Sequence, residues 1–131
     1  MDSLSIPNKY LEEVIRPIKL DFPQTYKMCW RNKALIENEI IIDSVSNEVI
    51  CVILWEEVDN GLNNFTEIYS IEVNKKWRHG GLGSLILQEF IADKSKVYAA
   101  VNKKTVDFFK KNGFNITNES QKYAYYIKEK R

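Results

Sequence analysis

Apolar positions along this chain switch repeatedly between the spacing of a helix and that of a strand. From Asn8 to Leu20 the residues Tyr10, Leu11, Val14, Ile15 and Ile18 fall on one helical face, and Pro17 limits the helix. Asp21 is placed to cap a second helix with Pro23 in its first turn, running through Tyr26, Met28, Trp30 and Leu35 towards Ile36. The character then changes. Glu39 to Ile42 and Val49 to Trp55 are β-rich runs joined at Ser46-Asn47, which predicts a hairpin. Turn residues at 59–61 and 63–64 precede a third strand from Phe65 to Val73. Leu82, Leu85, Ile86 and Phe90 return to helical spacing, giving a helix from Gly81 to Ala92. Lys96 to Val101 predicts a short buried strand, and 103–111 a helix stopped by Asn112-Gly113. Two strands close the chain, Phe114 to Thr117 and Gln121 to Lys128. The order of elements predicts an α+β fold, a mixed sheet with a βαβ crossover and helices packed on it. No obvious strand precedes the first helix, which suggests a trimmed amino-terminal end.

Composition narrows the classes. The chain has 131 residues and neither a repeat nor a Pro/Gly-rich linker, so residues 1–131 are expected to form a single domain. The formal net charge of +1 is far from that of a dedicated nucleic-acid binder, so no nucleic-acid partner is expected. No apolar run reaches the ~20 residues of a spanning helix. The amino terminus carries no basic and apolar leader, so a cytoplasmic location with no membrane partner is expected. Cys29 and Cys51 lack metal-ligand spacing and only one histidine accompanies them, so no metal site is expected. The abundance of Lys, Ile and Asn hints at a bacterial or phage source.

The most informative stretch is Arg78-His79-Gly80-Gly81-Leu82-Gly83-Ser84, placed between a strand and an amphipathic helix. A tight strand-to-helix turn presents unpaired backbone N–H groups at the positive end of the helix, a natural anion site. Three glycines in four positions let phosphate oxygens approach the backbone, and Arg78 and Ser84 can add side-chain contacts. A dinucleotide loop would need a third glycine where Ile86 stands, and a nucleotide-triphosphate loop would need Lys-Ser or Lys-Thr after the glycines. Neither pattern is met.

Arg-x-x-Gly-x-Gly from Arg78 resembles the pyrophosphate loop of the GNAT superfamily of N-acetyltransferases. The strand Ile68 to Val73 before it fits the same family, as does the later segment from Asn102 to Phe114 with Phe108-Phe109-Lys110-Lys111-Asn112-Gly113-Phe114 at its end. The resemblance covers Phe65 to Phe114 well. It implies a mixed, mostly antiparallel sheet splayed between two parallel strands that flank the crossover helix. It also implies acetyl-CoA as co-substrate, held by Arg78, His79, Gly80, Gly81, Gly83 and Ser84 at the pyrophosphate, by Ile71 and Val73 along the pantetheine arm, and by Asn102 and Phe109 from the second block. An amine of a small molecule or a protein would attack the thioester directly, and the Ile71 N–H would stabilise the oxyanion. Glu67, eleven positions before Arg78, matches the catalytic glutamate of histone-type members, with Glu72 as second choice of base. The two differ by an odd number of positions and so face opposite sides of a regular strand.

One departure stands out. Many members carry a tyrosine four residues before the glycine of the second block as proton donor to the leaving thiolate, and this chain has Phe109 there. Tyr98, Tyr69 or a water is left to take that part. Phe109 also favours an alternative of another class, a coenzyme-binding sensor or interaction module with weak catalysis. Substrate choice is expected in Asn8 to Ile36 and Gln121 to Arg131, and the alternation of Tyr123, Tyr125 and Ile127 offers an edge strand for a homodimer.

Overall fold

A computed structural model describes residues 1–29, 36–78, 80–117 and 123–127. Seven strands form one sheet: β1 (Asp2–Leu4), β2 (Glu37–Ile42), β3 (Val49–Asp59), β4 (Asn64–Val73), β5 (Lys96–Ala100), β6 (Asn115–Ile116) and β7 (Tyr123–Ile127), in the order β1-β2-β3-β4-β5-β7-β6. The helices are α1 (Asn8–Ile15), α2 (Pro23–Cys29), α3 (Leu82–Ile91) and α4 (Val106–Lys111), with short 3-10 turns at Arg16–Ile18 and Lys75–Trp77. The residues group into two compact units, 1–55 with 70–83 and 56–69 with 84–131.

In the first unit α1 stops at Ile15 and Pro17 turns the chain into the 3-10 segment, as its fixed φ and missing N–H require. The helix α2 begins with Pro23, so Asp21 lies one residue too early to cap it. Its expected extension through Trp30 and Leu35 lies outside the described residues. Residues Ile50 to Leu54 of β3 are buried without alternation, the pattern of a strand covered on both faces. Antiparallel pairs run from Glu37↔Trp55 to Ile42↔Val49, and Asn47 takes a φ of 59° in the connecting turn.

The absence of a first strand was a wrong expectation. Asp2–Leu4 pairs antiparallel with Ile40–Ile42 of β2. All three residues are exposed, so the strand has no apolar period to betray it. Buried Asn38 holds the segment that follows: its side chain accepts from the Ile6 N–H at 3.0 Å and donates to the Ile6 carbonyl at 2.7 Å and to Asn8 Oδ1 at 3.0 Å.

In the second unit β4 and β5 are parallel, with partners only from Thr66↔Val97 to Ile68↔Ala99, although β4 runs on to Val73. This short parallel register fits the splay that the resemblance implied. The pairing of β5 with β7 is antiparallel along its full length, Lys96↔Ile127 to Ala100↔Tyr123. On its other side β7 pairs with β6, so the expectation of β7 as the sheet edge is corrected: β6 is the edge, and it covers Tyr125 and Ala124. Residues Gln121 and Lys128, expected in this strand, lie outside the described residues. The helix α4 starts at Val106, three positions later than expected, because Asn102 organises 103–105 into a turn. Gly113 follows α4 with φ 90°, the left-handed stop that Asn112-Gly113 predicted. Among the described residues no helix is long and apolar enough to cross a membrane.

Candidate functional site

The strand β4 has two unlike faces. Thr66, Ile68, Ser70 and Glu72 are buried, while Phe65, Glu67, Tyr69, Ile71 and Val73 alternate with them and are half-buried. Glu67 therefore shares a face with Ile71 and Val73, and Glu72 points the other way, as parity required.

Glu72 has a structural task. Its carboxylate accepts hydrogen bonds from the Thr25 N–H at 2.7 Å, the Thr25 hydroxyl at 2.8 Å and the Gln24 N–H at 3.2 Å. These are first-turn donors of α2 that no residue within the helix can satisfy, so Glu72 supplies the cap that Asp21 does not. Arg78 Nη2 lies 3.8 Å from the same carboxylate. These contacts commit the Glu72 carboxylate to holding α2. Its charge reaches Cys51: burial first, then the charges of Glu72 and Glu39, push that thiol up to about 12.

At the end of β4, buried Asn74 turns the chain. Its N–H donates to the Ile50 carbonyl at 2.7 Å, its side-chain amide donates to the Val49 carbonyl at 3.1 Å, and its Oδ1 accepts from the Lys76 N–H at 3.0 Å. The sequence carried no signal for this anchor beyond an asparagine after a strand. Arg78 then folds back, donating from Nε to the Val73 carbonyl at 2.9 Å. His79 lies outside the described residues.

Gly80 and Gly81 follow. A Cβ at either would meet no atom of the described residues within 4 Å, and Gly81 takes φ 78°, a region costly for other residues. Among the described residues the glycines therefore border open space. Gly83 and Ser84 lie in the first turn of α3, where helix geometry leaves N–H groups without intrahelical acceptors. Among the described residues nothing beyond the immediate chain neighbours stands over Gly80 and Gly81, and first-turn N–H groups are donors that suit a pyrophosphate.

The second unit holds the remaining expected residues. The Ser84 hydroxyl accepts from Asn112 Nδ2 at 3.1 Å, leaving its own proton to donate. Asn112 also donates to the Phe108 carbonyl at 2.7 Å, and Gln88 donates to the Asn112 carbonyl at 3.0 Å, which ties α3 to the end of α4. Asn102 works as a local cap: its Oδ1 accepts from the Lys104 N–H at 2.8 Å and the Thr105 N–H at 3.2 Å, and Thr105 Oγ1 accepts from the Asn102 N–H in return. Phe109 is 2% exposed, edge-on to Phe108 and Phe114 at 5.3 and 5.1 Å between centroids. Tyr69 makes a long contact, 3.5 Å, from its hydroxyl to Glu56 Oε1. Burial, then the hydrogen bond and charge of Glu67, then Glu56, raise its pKa well above the usual tyrosine range.

Glu67 opens into an open cavity of about 230 Å³ lined by Asn63, Phe65, Lys96, Tyr98 and Tyr123 as well. Sequence reasoning missed Lys96 and Phe65 here. The register could have found them, since Glu67 opposes Tyr98, and Phe65 and Lys96 lie two residues earlier on the same face. Among the described residues no group of three or more His, Cys, Asp or Glu could hold a metal ion.

A sequence profile of the acetyltransferase (GNAT) family matches residues 10–114. The chain belongs to the acetyltransferase (GNAT) family. No curated protein matches the sequence itself. Solved structures match the GNAT fold at low identity. AtaTR bound with AcCoA has a TM-score of 0.67 at 12% identity, over 96% of this chain and 92% of that one. AtaT complexed with acetyl-methionyl-tRNAfMet gives 0.64 at 10% identity, over 96% and 94%. Tetrahymena Gcn5 gives 0.62 at 14% identity, over 92% and 85%. At such identities the match speaks for the fold alone, and it places this GNAT chain in a mixed α/β architecture with a mostly antiparallel sheet and flanking helices.

Proposed function

We propose that this chain is a single-domain N-acetyltransferase that moves the acetyl group of acetyl-CoA to a primary amine by direct attack. The observation that carries the reading is the glycine turn between β4 and α3, open over Gly80 and Gly81, in a chain of the acetyltransferase family. The coenzyme pyrophosphate sits on the first-turn N–H groups around Gly81, Gly83 and Ser84, with Arg78 as counter-charge. For His79, Asn102 and Phe109 a role at the coenzyme rests on the family resemblance alone. Ile71 and Val73 offer backbone groups to the pantetheine amides, beyond the last partners that β5 gives to β4. Arg78 Nε already donates to the Val73 carbonyl, whose second lone pair is left for the arm.

The acceptor binds as an ammonium and gives a proton to Glu67. Its nitrogen then forms a bond to the thioester carbon, the Ile71 N–H stabilises the oxyanion, the carbon–sulfur bond breaks as the thiolate leaves, and the second proton on the nitrogen passes through water to the thiolate or to solvent. Phe109 has no proton to give and is buried, so the thiolate is protonated from water or departs as such, which a thiol of pKa ~8.5 tolerates. Acetyl is the acyl group by analogy with AtaTR, bound with AcCoA. AtaT in complex with acetyl-methionyl-tRNAfMet puts aminoacyl-tRNA among the acceptors to be screened, and the expectation of no nucleic-acid partner no longer stands on net charge alone.

Phe109 supports a second reading, a coenzyme-binding module without turnover. Calorimetric titration with acetyl-CoA together with an amine screen separates the two. Binding plus turnover, with kcat cut ~10²–10⁴-fold in Glu67→Gln at unchanged coenzyme affinity, is the expected result. Binding without turnover on any amine selects the second reading, and no binding rejects both.

A further inference from the structure

The row of side chains around Glu67 is built for more than a base. Glu67 opposes Tyr98 across the parallel pair, and Tyr98 opposes Tyr125 across the antiparallel one, so the three stand side by side on one face of the sheet. Phe65 packs edge-on to Tyr98 at 5.0 Å, and Tyr98 lies 6.1 Å from Tyr125. The opposite face at these positions, Thr66, Val97, Ala99 and Ala124, is fully buried. The aromatic face is therefore the one a ligand can reach.

Two opposite charges share the cavity on this face, Glu67 and Lys96. They do not pair with each other, and neither takes part in an ion pair among the described residues. Their partners are neutral: Lys96 Nζ donates to Asn63 Oδ1 at 3.4 Å, and Glu67 is hydrogen-bonded to the Tyr69 hydroxyl. The cavity, about 230 Å³, is smaller than the ~300 Å³ at which pockets for drug-sized ligands begin.

Resting on the acetyltransferase reading, we infer that the acceptor is a small zwitterion, an amine carrying its own carboxylate as free amino acids do. Its ammonium meets the Glu67 carboxylate and the ring faces of Phe65, Tyr98 and Tyr123. Its carboxylate meets the Lys96 ammonium. Diagonal neighbours on adjacent strands are roughly 7–8 Å apart, a span that two flexible side chains and a short ligand can bridge. The arrangement selects against other amines. A diamine would set its second positive charge against Lys96, and an ester would leave Lys96 unanswered. The proximity of Lys96 also favours loss of the acceptor's proton, since a like charge destabilises the ammonium form.

The test is a steady-state comparison of free amino acids, their methyl esters, an aliphatic diamine and aminoacyl-tRNA as acceptors, with coenzyme binding measured separately by titration calorimetry. The best free amino acid should exceed its own methyl ester by about tenfold in kcat/KM, the size expected of one charge-assisted contact. Lys96→Met should erase that discrimination, mainly through KM, and Lys96→Arg should keep it. Equal or better use of the ester, the diamine or aminoacyl-tRNA overturns the inference, as does a ratio that Lys96→Met leaves unchanged or a panel with no turnover. If acetyl-CoA binds in those cases, the coenzyme site stands and only the acceptor class falls. If it does not bind, both fall together.

Discussion

At the scale of single residues, Glu72 shows how a plausible chemical group turns out to hold the fold. Glu72→Ala leaves three donors at the start of α2 without their acceptor, two of them on buried Thr25, and we expect a loss of about 2–3 kcal/mol, read from the urea midpoint at constant slope. Glu72→Gln keeps an acceptor oxygen and should cost less; equal losses would reject the capping role. The Cys51 thiol is a second case. It keeps its proton in the folded chain up to about 12, whereas the unfolded thiol loses it near 9.0. Between those values the native state binds more protons than the unfolded one, so stability must fall as pH rises through this window, by up to about 1.4 kcal/mol per pH unit. Below the lower value the effect vanishes. Denaturation curves from pH 8 to 11 should therefore be shallower in their pH dependence for Cys51→Ala than for the parent chain. The parity of Glu67 and Glu72 was legible in the sequence because strand alternation is a rule of geometry. The partners Thr25 and Gln24, 47 and 48 positions away, were not, because no local pattern encodes a cap supplied from another element.

At the scale of elements, long periodic segments were read correctly and short exposed ones were not. The helix α3 and strands β3 and β4 carry apolar periods that survive in the structure within a few residues of their expected ends. The strand β1 has three exposed residues and is defined only by its pairing with β2, and the place of β7 beside β5 depends on a long-range partner. Residues Asn102 to Thr105 read as helix but form a turn, since the Asn102 and Thr105 side chains compete for the backbone donors. The glycine loop was the most legible part of the site, since backbone openness is written as glycine. A prediction belongs to β4 itself. Acetyl-CoA should slow hydrogen exchange of the amides in Ile71–Val73 while leaving those of Thr66–Ile68, already inside the parallel register, unchanged. Equal slowing along the whole strand would argue against pairing by the pantetheine arm.

At the scale of the whole molecule, β3, β4 and α3 each run through both compact units, so neither unit owns a complete set of elements. If residues 1–131 form one domain, heat should unfold the chain in a single transition with equal calorimetric and van't Hoff enthalpies. Two resolved transitions would reject that reading. The alternation along β4 reaches further, into how such a chain diversifies. Phe65 and Glu67 look outward, while Thr66 and Ile68 between them are sealed in the interior. On the acceptor site proposed above, mutations that retune the acceptor fall on positions other than those that keep the strand folded. On that reading a duplicated gene would drift from one amine to another by single changes on the outward face, with the buried face and the glycine turn left as they are.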